Sequence, residues 1–113
     1  MILCTGGMSV DPDDKTPGAI KKSGAEVVTY GAPVLPGAMS LVGSLGGEGP
    51  SAPARVLGVP ACALFHKTTA LDVLLPCVLA DAPLTREYLS GLGHGGLCLD
   101  CKTCTYPKCT FAK

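Results

Sequence analysis

Short apolar runs alternate with glycine- and proline-rich breaks along this chain. Met1-Ile2-Leu3-Cys4 stops abruptly at Thr5-Gly6-Gly7, which predicts a buried strand entering a glycine turn. Residues 11–15 read as a polar loop, after which Thr16-Pro17 starts a helix, Thr16 as N-cap and Pro17 in the first helical position. Ser23-Gly24 closes that helix with a glycine cap. The β-rich run Glu26–Tyr30 predicts a strand, residues 31–37 a loop, residues 38–42 another strand and residues 43–53 a connection. Arg55–Val59 is a further strand, cut by Pro60. From Ala61 the period changes: Leu64, Thr68, Leu71, Leu75 and Val78 recur at steps of three and four, which predicts a helix that Pro76 kinks or ends. A second helical piece covers residues 85–90 with Gly91 as its cap, and residues 91–96 form a flexible glycine-rich lead into the last segment.

Strands alternating with helices predict an α/β unit, its sheet covered by helices on both faces. Four short strands with two or three helices make a small inventory, and Met1 falls inside the first strand, so the chain reads as the second half of a domain. At 113 residues it is one domain's worth at most. Apolar residues make up 47%, ample for a core, while 15 glycines and 10 prolines imply many turns. Zero formal charge offers no basic face, so neither nucleic acid nor anionic lipid is an expected partner. The longest uncharged stretch, residues 27–47, is interrupted by Pro33, Pro36 and five glycines, which suits a membrane span poorly. Without the pattern of a secretory signal, a cytoplasmic location is expected, where the seven cysteines read as metal ligands and buried thiols rather than disulfides. Cys4, Cys62 and Cys77, in apolar settings, are expected to be small core residues.

The other four cysteines carry the sharpest chemical signal. Cys98, Cys101, Cys104 and Cys109 fall within twelve residues, separated by gaps of two, two and four. A tight turn brings sulfurs three residues apart to one side, and Pro107 favours a turn inside the last gap. Four converging sulfurs suit zinc or an iron–sulfur cluster; paired disulfides or unliganded thiols are the alternatives. Structural zinc normally splits its ligands into two separated pairs, whereas three thiols at steps of three match a ferredoxin-like cradle. The match is partial, since Cys109 is close by and followed by Thr110 rather than Pro. A four-iron cluster is therefore the expectation and zinc the alternative. His94 is either an alternate ligand or a mobile surface histidine.

The second candidate is the glycine turn. Gly6 and Gly7 lack Cβ atoms, so backbone N–H groups can approach an anion closely. Thr5 and Ser9 add hydroxyls, and Asp11, Asp13 and Asp14 supply carboxylates able to hold a magnesium ion against phosphates. The plainer alternative is an ordinary turn whose acids interact favourably with the following helix.

The wording Thr5-Gly-Gly-Met-Ser9 with Asp14 and Thr16-Pro17, then Tyr30-Gly-Ala-Pro-Val and Pro36-Gly37, resembles the molybdopterin-binding domain shared by molybdopterin adenylyltransferase and molybdopterin molybdotransferase. Gly58-Val-Pro60-Ala61-Cys62 looks like that family's turn into a long helix, and the resemblance covers residues 1 to about 82. It implies an incomplete three-layer α/β/α fold that grips molybdopterin by its phosphate and dithiolene end. Asp14 would be the catalytic carboxylate, assisting metal or phosphate chemistry, and Thr5, Gly6, Gly7, Ser9, Asp11, Pro36, Gly37 and Pro60 would line the cofactor site. Asp11 and Ala61 stand where the family has glycine, and the family domain's first half has no counterpart here. Adenylyl- or molybdotransferase-like catalysis is thus left open: either the chain is a fragment, or a partner chain supplies the missing half, and the resemblance also implies association into a homo-oligomer.

The resulting organisation is a molybdopterin-binding-like half-domain at 1–82, a helical linker and lead at 83–97, and a metal-binding tail at 98–113, which resembles the tail of a subgroup of such proteins. His66 and Lys67, near the start of the predicted long helix, either face a phosphate or belong to a solvated turn with Thr68 packed inward. Two functions follow. One is molybdenum- or tungsten-cofactor handling with an accessory metal site; the other is a non-catalytic iron–sulfur or zinc protein docking to a partner metalloenzyme.

Overall fold

Four short strands form one mixed sheet in the computed structural model, which describes residues 1–47, 49 and 52–113. They are β1 (Ile2–Thr5), β2 (Glu26–Tyr30), β3 (Leu41–Leu45) and β4 (Ala54–Val59), in the order β1-β4-β3-β2. β1 runs parallel to β4, and the β4–β3 and β3–β2 pairs are antiparallel. The β2–β3 register shifts between Val27 and Thr29, and the carbonyl of Val28, at that irregularity, accepts a bond from the Arg86 guanidinium at 3.0 Å.

Strand alternation sorts the apolar residues onto two faces. Leu41 and Val56 pack with Met8, Ala25 and Ile20, the last from α1 (Thr16–Lys22). On the opposite face Val42, Leu57 and Val59 meet Val73, Leu74 and Val78 of α2 (Ala70–Leu79) and Leu89 of α3 (Arg86–Gly91). The result is a mixed α/β domain with helices on both sides of a four-stranded sheet.

Several elements differ from the sequence reading, each for a local reason. β1 is an edge strand with a single neighbour, so Ile2 and Leu3 are 38% and 45% exposed rather than buried. Thr16 is the first helical residue of α1 and Lys15 the cap, with no side-chain capping bond; the Thr16 hydroxyl lies where a Cβ on Gly7 would fall. β3 begins three residues later than expected; Ser40 instead turns back on Gly37, both its amide and its hydroxyl donating to that carbonyl. It also runs into the predicted connection as far as Leu45, while Glu48, Pro50 and Ser51 of that connection lie outside the described residues.

The predicted long helix is broken. A 3-10 turn over Ala61–Leu64 gives way to an irregular stretch, and α2 starts only at Ala70. Thr69, extended at φ −140° and ψ 178°, caps it in a reciprocal arrangement with Asp72. Leu64 is therefore 83% exposed and leaves the apolar stripe, and the neighbouring Phe65 is 80% exposed. Pro76 sits inside α2 without ending it. Having no N–H, it leaves the carbonyl of Asp72, four residues earlier, without its helical donor. The Tyr106 hydroxyl fills that vacancy at 3.2 Å.

Through such contacts the last residues join the main core. Phe111, 3% exposed, belongs to the α2 cluster, with Tyr106 edge-on to it at 6.2 Å between ring centroids. The glycine-rich lead folds into a 3-10 turn, Leu92–Gly95, with Leu92 buried, and the Gly95 carbonyl accepts from the Ala112 amide at 2.6 Å. Phe111→Ala is accordingly expected to lower global stability by about 3–5 kcal/mol, read as a fall in the urea midpoint. An unchanged midpoint would mean that the tail unfolds independently of the domain.

Candidate functional site

The topology carries every singled-out loop to one end of the sheet. β1, β2 and β4 run in the same direction, so their C-terminal ends share an edge with the start of β3. Thr5-Gly6-Gly7 leaves β1 there, Pro36-Gly37 lies in the β2–β3 connection, and Pro60 follows β4. Two separate constructions result.

The first is the glycine turn, which is closed largely by its own hydrogen bonds. Gly6 and Gly7 have φ 79° and 62°, the left-handed region in which glycine is unstrained. Asp14 Oδ2 accepts from the Ser9 amide at 2.8 Å and from Ser9 Oγ at 2.5 Å. These two bonds, the hydroxyl's first, hold the Asp14 carboxyl below its ordinary value. Asp11 is engaged as well: its Oδ1 accepts from the Asp13 amide at 2.9 Å and its carbonyl from the Asp14 amide at 3.0 Å. Tyr30 ties the turn to the end of β2 by donating to the Ser9 carbonyl at 3.3 Å. Thr5 and Gly6 are exposed, whereas Pro60 is buried. Among the described residues no three His, Cys, Asp or Glu side chains gather as they would around a single metal ion. Magnesium asks for only one or two carboxylates beside substrate phosphates, so the loop's acids are chemically suited to it only in company with a phosphorylated ligand.

The second construction is the cysteine cavity, of about 320 Å³. Cys98, Cys101, Cys104 and Cys109 all line it. Asp100, at φ 47°, makes the tight turn between the first two; aspartate is among the few residues that tolerate that conformation. The facing walls come from distant segments. Leu35 pairs with Leu97 in a parallel bridge, its amide donating to the Gly96 carbonyl at 2.7 Å and its carbonyl accepting from the Cys98 amide at 2.8 Å. Pro36 accepts from the Ala70 amide at 2.9 Å, and Gly37, at φ 111°, lies so close that a Cβ would stand 2.7 Å from that same nitrogen. Pro36 and Gly37 thus seat the start of α2 beside the cysteine cavity, and Pro36 is part of its wall.

The 66–68 stretch supplies the opposite wall. Thr68 is buried, as one reading of the sequence expected, while His66 and Lys67 line the cavity instead of facing open solvent alone. Thr68 Oγ1 lies 3.1 Å from Cys104 Sγ, and Lys67 Nζ donates to the carbonyls of Cys101 and Lys102 at 3.1 and 3.2 Å. The Thr68 hydroxyl and then the Tyr106 amide pull the Cys104 thiol below its ordinary value, and the Lys67 charge adds to the effect. These partners lie some 36 residues from the cysteines, and no spacing rule could have paired them. His94 is exposed and does not contribute to the lining. Cys4, Cys62 and Cys77 are half-buried, outside the cavity, and free rather than disulfide-bonded.

The donor set tests which group fits. A single zinc ion needs four sulfurs at about 2.3 Å from one point. Here the four thiols line one cavity, two of them half-buried (Cys98, Cys109) and two exposed (Cys101, Cys104). Among the described residues no three of them gather as they would around a single ion, and four thiols are equally the donor set of an iron–sulfur cluster.

Because Asp14 titrates low in the folded chain, its contribution to stability is present above its ordinary value of 3.8 and is lost as pH falls through the lower folded value. Ser9→Ala is expected to bring the Asp14 carboxyl titration, followed by carbon-13 NMR, back toward 3.8. Among the described residues no helix is long and apolar enough to cross a membrane. Compared with known proteins, the chain matches no family model, no curated protein and no solved structure.

Proposed function

We propose that this protein holds a four-iron iron–sulfur cluster on Cys98, Cys101, Cys104 and Cys109 and serves as a redox-linked protein in molybdenum- or tungsten-cofactor handling. The observation that carries the cluster is that four thiols from one twelve-residue segment line a single cavity. When bound, the cluster supplies one-electron transfer. The chain's own part is to hold and shield the ligands. Leu35 fixes the backbone at Cys98, Lys67 ties down the Cys101–Lys102 turn, and Phe111 closes the inner wall. The exposed Cys101 and Cys104 leave that side of the site open to a redox partner.

Anaerobic reconstitution followed by iron, zinc and acid-labile sulfide analysis tests this. Iron and sulfide in matching amounts are expected, with most of both lost in Cys104→Ser and retained in Cys77→Ser. Zinc without sulfide would make the tail a structural staple and overturn the redox reading.

The link to molybdopterin rests on a second observation: the glycine turn, Pro36-Gly37 and Pro60 occupy one end of the sheet. In this reading Thr5, Gly6, Gly7 and Ser9 receive the phosphate of the pterin, and Asp14 assists through magnesium. Asp14→Asn is expected to weaken magnesium-dependent binding of a phosphorylated pterin at least tenfold while the fold, followed by circular dichroism, persists. Equal binding by the variant would remove Asp14 from the site and leave a non-catalytic cluster protein.

A further inference from the structure

We propose that Thr68 is a positioning residue for the cluster: its hydroxyl donates to the Cys104 sulfur and raises the potential at which the cluster accepts an electron. The inference rests on the cluster reading above and concerns a residue outside the cysteine motif.

Three observations converge on it. Thr68 is 4% exposed, and the partner of its hydroxyl is Cys104 Sγ at 3.1 Å. A sulfur ligating iron is a thiolate with no proton, so in the loaded protein the hydroxyl must be the donor. Without that acceptor a buried hydroxyl would lose its partner, an arrangement folded chains avoid.

The hydroxyl is also held in place before any cluster arrives. Thr69, next in the chain, is fixed by its reciprocal cap with Asp72, whose Oδ2 accepts from the Thr69 amide at 2.7 Å. Ala70 is fixed in turn by the Pro36 carbonyl. A β-branched side chain on so constrained a backbone has little rotamer freedom to lose.

Finally, the charge logic has a definite sign. Reduction adds one electron to the cluster, drawn from an external one-electron donor, and a hydrogen bond to a ligating sulfur stabilises the added negative charge. Lys67 acts in the same direction, but its ammonium already serves two carbonyls and is exposed, so salt and water screen it. The buried, uncharged hydroxyl is the better-placed group.

The test uses the full chain, reconstituted anaerobically, as wild type, Thr68→Val, Thr68→Ala and Thr68→Ser. Each is titrated with dithionite and redox mediators while the cluster is followed by electron paramagnetic resonance and visible absorbance. Thr68→Val keeps nearly the same shape without the hydroxyl. Its reduced-to-oxidised ratio at a fixed poise is expected to fall about tenfold, which is about 59 mV for a one-electron couple. Thr68→Ala is expected to move the same way, and Thr68→Ser, which keeps the hydroxyl, to stay near wild type. Loaded Val and Ala variants with wild-type midpoints would overturn the role of Thr68 alone. A Ser variant displaced as far as Val would overturn it too, by assigning the effect to packing. A wild-type chain that takes up no iron and sulfide would overturn the cluster reading itself.

Discussion

The cysteine end of the molecule depends on one short loop, residues 34–37, which meets two segments far apart in the chain. Val34 is fully buried in the main core and anchors it. On one side Leu35 exchanges backbone bonds with Gly96 and Cys98; on the other the Pro36 carbonyl accepts from the first residue of α2. Backbone polar groups taken out of water must be paired, and here that requirement is met by bringing the cysteine segment and the start of α2 to opposite sides of one loop. The cavity is the space left between them.

The tail is therefore part of the domain's structure, although its sequence looks like an appendage. Tyr106, one of three tyrosines, and Phe111, one of two phenylalanines, both lie within it and pack on α2. In a chain so poor in aromatics, these rings bring large apolar surfaces to the core. Pro76 adds specificity, since the Asp72 carbonyl it leaves without a helical donor is taken by the Tyr106 hydroxyl. A residue that reads as a helix breaker becomes an attachment point.

The two candidate sites differ in how their polar groups are used. In the glycine turn one carboxylate oxygen of Asp14 and one of Asp11 are taken by local amides and by Ser9, which makes a well-defined loop. A ligand there would have to work with carboxylates already partly engaged. In the cysteine cavity the surrounding groups, Thr68 and Lys67, are directed at the cysteine segment itself. That contrast is why the cysteine end carries the stronger functional argument.

The sequence by itself determined the periods, the turns and the residue types of the two candidate sites. Strand positions at Glu26–Tyr30 and Arg55–Val59, the glycine turn and the four-thiol spacing are local properties, set by alternation, by residues that tolerate special dihedrals and by short-range geometry. The break before α2 was less legible, because Leu64 fits a helical stripe that the Thr69–Asp72 cap overrides. Only the tertiary structure decided that β1 is an exposed edge, that the sheet is mixed, and that Leu35, Lys67 and Thr68 complete the cysteine site. Those facts depend on which strands pair and on contacts spanning more than thirty residues of chain, where burial and backbone pairing choose the partner and local pattern has no say.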